Sequence, residues 1–402
     1  MIRSKFSASN RAILLLAGML VQPLAEAVEL GVGVQAHGFL SQSLAHTSDN
    51  DLGGASDDGV ATELREIGAN LSWRPNADWL LSGQVLARWA GKSDEGDLRL
   101  DYGYVDRALL ADGDTAVGVR LGKIKNPYGF FNSTRDVAHT RPGIIMPQSI
   151  YLDRIRNFFL AAPGVAVYGN HATGDLDLSW TLGAMRFDAD SEDIEGLYLT
   201  RSTPGRFKSR NSWLGQAMGE WDGGIWRLGM TLGEVKMQYH PALPPTPDFG
   251  AGHTNTRPWV LSLEHNREHL TLTAEYSEVT VNGQGYGLPV IDDRNTTMSW
   301  YLQATYRPTP DWRFYLRRDE VYLDKHDKEG RQGSLASGGQ VPPHAFYAKD
   351  WTLGARYDMD AWSFMAEVHR VDGTVWLSPL DLPLSQQTGR WDLLLLQAAW
   401  RF

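Results

Sequence analysis

Residues 298–312 read MSWYLQATYRPTPDW. Met298, Trp300, Leu302, Ala304 and Tyr306 alternate with Ser299, Tyr301, Gln303, Thr305 and Arg307, the period of a two-faced strand. Pro308-Thr309-Pro310-Asp311 then makes a tight turn, because proline presets φ and the aspartate carboxylate bonds nearby backbone. Tyr306 and Trp312 flank that turn. The same design stands at 74–79, where RPNADW matches RPTPDW of 307–312, and it reads as two independent uses of one favourable turn. Alternation recurs at 67–73, with Ile67, Ala69, Leu71 and Trp73 opposite Gly68, Asn70 and Ser72. It recurs again at 351–359, with Trp351, Leu353, Ala355, Tyr357 and Met359 opposite Thr352, Gly354, Arg356 and Asp358.

A soluble sandwich alternates in the same way, so the position of the aromatics decides. Trp73 and Trp79 flank one turn, Trp221 and Trp226 another, Tyr357 and Trp362 a third, and Trp400 and Phe402 end the chain. Tryptophan and tyrosine favour the headgroup layer of a bilayer, where an apolar ring and a polar tip are both satisfied. A sandwich would keep these rings mid-strand, in its core. Short connections fall at 75–78, 111–114, 173–175, 222–224, 266–269, 308–311 and 359–361. Polar insertions fall between them at 47–62, 125–162, 188–205, 241–257, 325–346 and 374–390, and only 91–97 is short. Tight turns at one end and long loops at the other predict an all-β, transmembrane, antiparallel up-and-down barrel of sixteen strands. The count becomes eighteen if an outer loop, 325–346 first among them, hides a hairpin.

Residues 1–27 read as a secretory signal. Arg3, Lys5 and Arg11 precede and flank the apolar run 12–21, and Ala25-Glu26-Ala27 is a small-x-small cleavage site. Residues 28–402 then form one barrel domain, with no Pro/Gly/Ser linker between two cores. The formal net charge of −10 argues against a nucleic-acid partner, which selects basic surfaces. The chain has no cysteine, so Cys-ligated metal sites are excluded.

On these residues the chain resembles the Gram-negative outer-membrane porin superfamily. The signal, the strand rhythm and a last strand that places Leu394, Leu396, Ala398, Trp400 and Phe402 on one face carry the resemblance. It covers the mature chain as an architecture. Substrate-selective members with an arginine- or lysine-lined constriction, such as the phosphate-selective type, look like the nearest relatives. The resemblance implies an outer-membrane location, a lipid surround, a homotrimer as is common in the family, and passive diffusion of small hydrophilic solutes. It also implies that the barrel-insertion machinery reads Leu396, Trp400 and Phe402. In such proteins one long loop narrows the lumen, which points to 125–162. That segment is too rich in Phe, Tyr and Ile to be disordered, so it must pack against something.

The loop carries Lys125, Arg135, Arg141, Arg154 and Arg156 against Asp136 and Asp153. Strand phase adds Arg74, Arg88, Arg99, Arg120, Arg313, Arg317 and Arg356 to the lumen, opposed by Asp101, Glu264, Glu275, Asp319 and Asp358. Arginine stays charged and its planar fork suits carboxylates and phosphates, so a pore preferring small anions is expected. The competing expectation is that the charges pair and pin the loop, Asp136 with Arg135 and Asp153 with Arg156. Tyr128, Phe130, Phe131, Tyr151, Phe158 and Phe159 read first as the loop's own packing core, and second as a surface for sugars or aromatic acids.

A closed-barrel enzyme and a surface-binding or adhesion protein are the alternatives. Ser133, Asp136 and His139 lie close in sequence, but no Gly-x-Ser-x-Gly elbow accompanies them. No catalytic residue, metal site or cofactor is expected. The pairs His265/His269 and His240/His253 lack a metal-site spacing, and Asp49, Asp51, Asp57 and Asp58 read as a solvated loop.

Overall fold

The computed structural model describes residues 28–199, 205–242, 250–287 and 292–402; the signal at 1–27 lies outside the described residues. The strands form one antiparallel sheet of eighteen. Two of these, Val28–Gly31 and Arg206–Ser209, are four residues long, and the other sixteen make the wall. In chain order these are β1 Val34–Thr47, β2 Ala61–Asn76, β3 Trp79–Ala90, β4 Arg99–Asp112, β5 Thr115–Lys125, β6 Ala161–Thr173, β7 Leu176–Met185 and β8 Ser212–Trp221. The second half comprises β9 Trp226–His240, β10 His253–Asn266, β11 Leu270–Gln284, β12 Arg294–Tyr306, β13 Trp312–Tyr322, β14 Tyr347–Met359, β15 Trp362–Gly373 and β16 Arg390–Arg401. Each pairs with the next, and β16 closes on β1 in a register running from Leu393↔Thr47 to Arg401↔Phe39. Closure removes every long free edge.

No hairpin hides in 325–346, contrary to the place expected for an extra pair. The Asp327 carboxylate accepts the amides of Arg331, Gln332 and Gly333, which gathers the chain into the helix Arg331–Ala336 instead. The two strands beyond the wall are Val28–Gly31, which pairs with the start of β1, and Arg206–Ser209, in the loop after β7, which pairs with the outer end of β9. At the opposite end the turns are tight. Asp222 and Gly223 both take left-handed backbone (φ 51° and 65°), which a turn of matching twist between β8 and β9 requires.

Burial is inverted relative to a soluble protein. Outward-facing Leu353 is 62% exposed and Leu121 65%, while inward-facing Glu367, His369 and Thr352 are 0% exposed. Lipid supplies the apolar surround that a core would otherwise provide. Rings cluster at the tight-turn end: Trp312 lies 4.8 Å from Tyr357, and Trp400 5.1 Å from Phe402, centroid to centroid. No helix among the described residues is long and apolar enough to cross a membrane.

Candidate functional site: a loop tied across the lumen

Residues 126–160 leave β5 and return at β6 through a closed neck. The Asn126 amide donates to the Leu160 carbonyl (2.9 Å), and the Asn132 side chain bridges the carbonyls of Asn126 and Phe159 (both 3.0 Å). Beyond the neck the loop crosses the barrel. On one side, the Phe130 amide and the Tyr151 hydroxyl donate to Glu275 of β11 (2.9 and 2.6 Å). Gln216 of β8 donates to the Gly129 carbonyl (2.7 Å), and the Gly129 amide donates to Thr231 of β9 (3.2 Å). Opposite, the Ile144 amide donates to Glu367 of β15 (2.9 Å) and the Ser149 amide to Asp319 of β13 (3.0 Å). Arg356 of β14 donates to the His139 carbonyl (2.8 Å). On the third side, Arg141 clamps both oxygens of Glu66 on β2 (2.8 and 2.7 Å). Arg156 clamps both oxygens of Asp101 on β4 (2.8 and 2.9 Å). Arg88 of β3 joins Glu66 (3.2 Å), Asp94 (3.3 Å) and Asp153.

The loop cations and the wall residues Arg88, Arg99, Arg120, Arg313, Arg317 and Arg356 therefore all have partners, while Arg74 is exposed near the tight turn after β2. Arg135 is fully buried and donates to Asp153 and to the Tyr151 carbonyl (3.2 and 3.3 Å), and burial pushes its guanidinium down to about 10. Lys125 pairs with Asp136 (2.8 Å). Arg154 donates to the Leu377 carbonyl of the 374–389 loop (2.9 Å). Arg120 pairs with Asp106 (2.7 Å) and lies over the Tyr168 ring. Arg313 and Arg356 share Asp358 (3.2 and 2.8 Å). Arg317 is buried and reaches Gln303 and the Ile145 carbonyl (both 3.4 Å).

Pairing is not local, which corrects the expectation of Asp136 with Arg135 and Asp153 with Arg156. Asp136 finds Lys125; Asp153 and Arg156 stand at the start of consecutive short helical turns, yet Arg156 is taken by both oxygens of Asp101 on the wall, and Asp153 finds Arg88 and Arg135. Burial alone would raise the Asp153 carboxyl; Arg88, Arg135, Arg141 and Arg156 overcome it and hold it at about 2.

Sequence reasoning missed Glu66, Asp106, Glu367 and the buried His369, whose ring nitrogens lie 2.8 Å from Asp350 and 3.2 Å from Glu367. Phase would have found the first: Gly68, Asn70 and Ser72 face inward, and Glu66 is next in that series. The aromatics divide. Tyr151 packs edge-on to Tyr128 and Phe131 inside the loop, while Tyr128, Phe158 and Phe159 also border open space. Ser133, Asp136 and His139 do not assemble: Asp136 holds Lys125, and the His139 ring meets the Ala361 carbonyl (3.2 Å). Among the described residues no three His, Asp or Glu side chains gather to hold a metal. Leu396 points to the lipid side, and Phe402 pairs backbone with Gly38 (3.1 and 3.0 Å) beneath its own ring.

A closed sixteen-strand barrel, apolar outside and polar inside, with a long loop tied across its lumen, has the architecture of the bacterial outer-membrane porins. It superposes on the outer membrane channel DcaP of Acinetobacter baumannii with a TM-score of 0.59 at 12% identity, covering 94% of this chain and 100% of that one. The anion-selective porin from Comamonas acidovorans gives 0.53 at 13% identity, covering 92% and 99%. The trimer form of OmpT from Vibrio cholerae gives 0.55 at 10%, also covering 92% and 99%. These likenesses establish the fold. No protein-family model matches the chain, and no curated protein matches it.

Proposed function

We propose that the protein is an outer-membrane channel for passive diffusion of small hydrophilic solutes, with a preference for small anions such as carboxylates or phosphate. One observation carries the anion preference. In four lumen pairs the cation is more exposed than its carboxylate: Arg120 37% against Asp106 8%, Arg313 39% against Asp358 23%, Lys125 22% against Asp136 4%, and Arg99 22% against Asp94 5%. Water in the lumen therefore meets guanidinium and ammonium groups first, and in a narrow passage that sets the sign of the favoured ion. Arg135 and Arg88 with Asp153, Arg356 with Asp358, Arg156 with Asp101, and Arg227 with Glu220 run the other way, yet Asp153 sits among four guanidinium groups and Asp358 is shared with the more exposed Arg313. The likeness to an anion-selective porin agrees with this reading, and the likeness to a trimeric form agrees with a homotrimer.

The test is the zero-current potential of the protein in a planar bilayer across a salt gradient. Stepwise conductance with anion preference, weakened by Arg120→Gln and Arg313→Gln, is the expected result. Clear cation preference that neither change deepens would overturn the anion reading. Absence of conductance would overturn the channel and favour a closed-barrel binding protein or enzyme, a reading the loop's ties to every side of the wall would then explain.

A further inference from the structure

Above the loop, at the long-loop end, lies a cavity of about 460 Å³. That is the size of a small-molecule site. Its composition departs from the rest of the lumen. Along β11 the inward positions run Thr273, Glu275 and Ser277, then change to Val279 and Val281 where the strand borders the cavity. Along β13 they run Arg313, Tyr315, Arg317 and Asp319, then change to Val321. A water-filled mouth has no need of valines there; Val279 and Val281 are half-buried along the cavity, and Val321, packed in a cluster with Val375, also lines it.

The loop and an outer helix complete the apolar lining. Tyr128, Phe158 and Phe159 form one face, with Phe159 5.3 Å from Tyr128 and 5.1 Å from Phe158 at 83°. Ile194, Leu197 and Tyr198 of the helix Glu192–Leu199 form another. Phe158 is fixed from behind by Phe187 at 5.0 Å, so the rings form a preorganised surface for another ring. Hydroxyls on the lining include Tyr198, which meets Thr256 (3.2 Å), Thr254, which meets Tyr286 (2.6 Å), Ser149 and Thr297; the amides are Gln332, Gln148, which donates to the Met146 carbonyl (2.9 Å), and Asn295, which donates to the Leu323 carbonyl (2.8 Å). Of the charged groups on the rim, Asp327 is used by three amides and Asp324 by the amide of His326 (2.8 Å), while Asp293 and Arg294 are exposed at the mouth. Below that rim no charged side chain lines the cavity, so a charge carried past Asp293 and Arg294 into the seat would lose its hydration without a partner.

We propose that this cavity binds a neutral, ring-bearing small molecule carrying a hydroxyl, of the phenol class, distinct from the small anions of the conduction path. Ring stacking on Phe159 and Tyr128 supplies the contact, and the threonine and tyrosine hydroxyls take the solute's polar end. The site would raise the local concentration of such solutes directly above the loop.

The test reads binding without requiring current. The full chain in lipid nanodiscs is titrated with 2-naphthol against empty nanodiscs, following probe anisotropy, with naphthalene-2-sulfonate as the charged comparison. Saturable binding beyond lipid partition is expected, at least tenfold weaker in Val281→Trp and in Leu197→Trp, and at least tenfold weaker for the sulfonate. Both variants must keep the mobility of an unboiled barrel on a gel; their location on separate elements guards against one misfolded protein. Uptake equal to that of empty discs, or binding unchanged in both folded variants, would overturn the site. Tighter binding of the sulfonate would overturn the neutral class. Because none of these readouts depends on conductance, the site and the channel proposal fail separately.

Discussion

Arg156→Met tests whether ion pairs, rather than loop packing alone, hold the constriction. Arg156 and Asp101 have side chains 1% and 3% exposed and share two hydrogen bonds of 2.8 and 2.9 Å. Methionine keeps much of the volume and removes the charge, which leaves Asp101 buried with Gln84 at 3.2 Å as its neutral donor. Breaking a buried pair from one side costs about 3–5 kcal/mol, because the remaining charge is uncompensated. At 1.4 kcal/mol per factor of ten, the population of states with the 153–160 segment released rises by roughly two to three and a half orders of magnitude. In a planar bilayer this appears as larger and noisier conductance steps, and in solution as faster protease nicking between 153 and 160. Adding Asp101→Asn removes the stranded charge and restores most of the wild-type behaviour. Wild-type conductance, noise and protease resistance in Arg156→Met, with nothing for Asp101→Asn to restore, would refute the reasoning.

Acid loosens the same loop. Burial, with Arg401 and Arg356 nearby, pushes the His139 imidazole down from 6.5 to about 4, so its contribution is complete above pH 6.5 and is lost as pH falls toward 4. Asp153, held at about 2 against an ordinary 3.8, contributes fully above pH 3.8 and fails as pH falls through 2. Current noise is expected to grow between pH 6.5 and 4, and His139→Gln is expected to flatten that rise. Gly354→Val places a side chain where the Tyr315 ring lies, displacing the hydroxyl that donates to Glu367 at 2.5 Å. A loss of about 1–3 kcal/mol is expected in urea unfolding of the micelle-bound barrel. Phe402→Ala uncovers Gly38 and removes the stack on Trp400, and should lower the folded fraction seen as unboiled gel mobility, with Phe402→Tyr restoring it.

The wall was legible because its information is local. Period-two alternation at 298–307 and the Pro-Asp turn at 308–311 lie within a few residues of each other, and lipid on one face with water on the other makes that period unambiguous. Loop 125–162 was legible as a packed element from its own aromatics. Its partners were not, because they are distant in sequence: Arg141 meets Glu66 across 75 residues, Arg156 meets Asp101 across 55, and Ile144 meets Glu367 across 223. Barrel curvature decides which inward carboxylate meets which loop position, and no short window of residues encodes curvature. The valines at 279, 281 and 321 look like ordinary strand residues until the cavity they line is seen.

The ties from loop to wall have a mechanical consequence. A thin cylinder yields most readily by flattening into an ellipse, and a pore that breathes in this way has a fluctuating aperture. Anchors at Glu66, Asp101, Glu275, Asp319 and Glu367 act as spokes of a wheel, converting that soft mode into stretching of short, charged or hydrogen-bonded struts. The barrel resists lateral pressure from the bilayer through its hub as well as its rim.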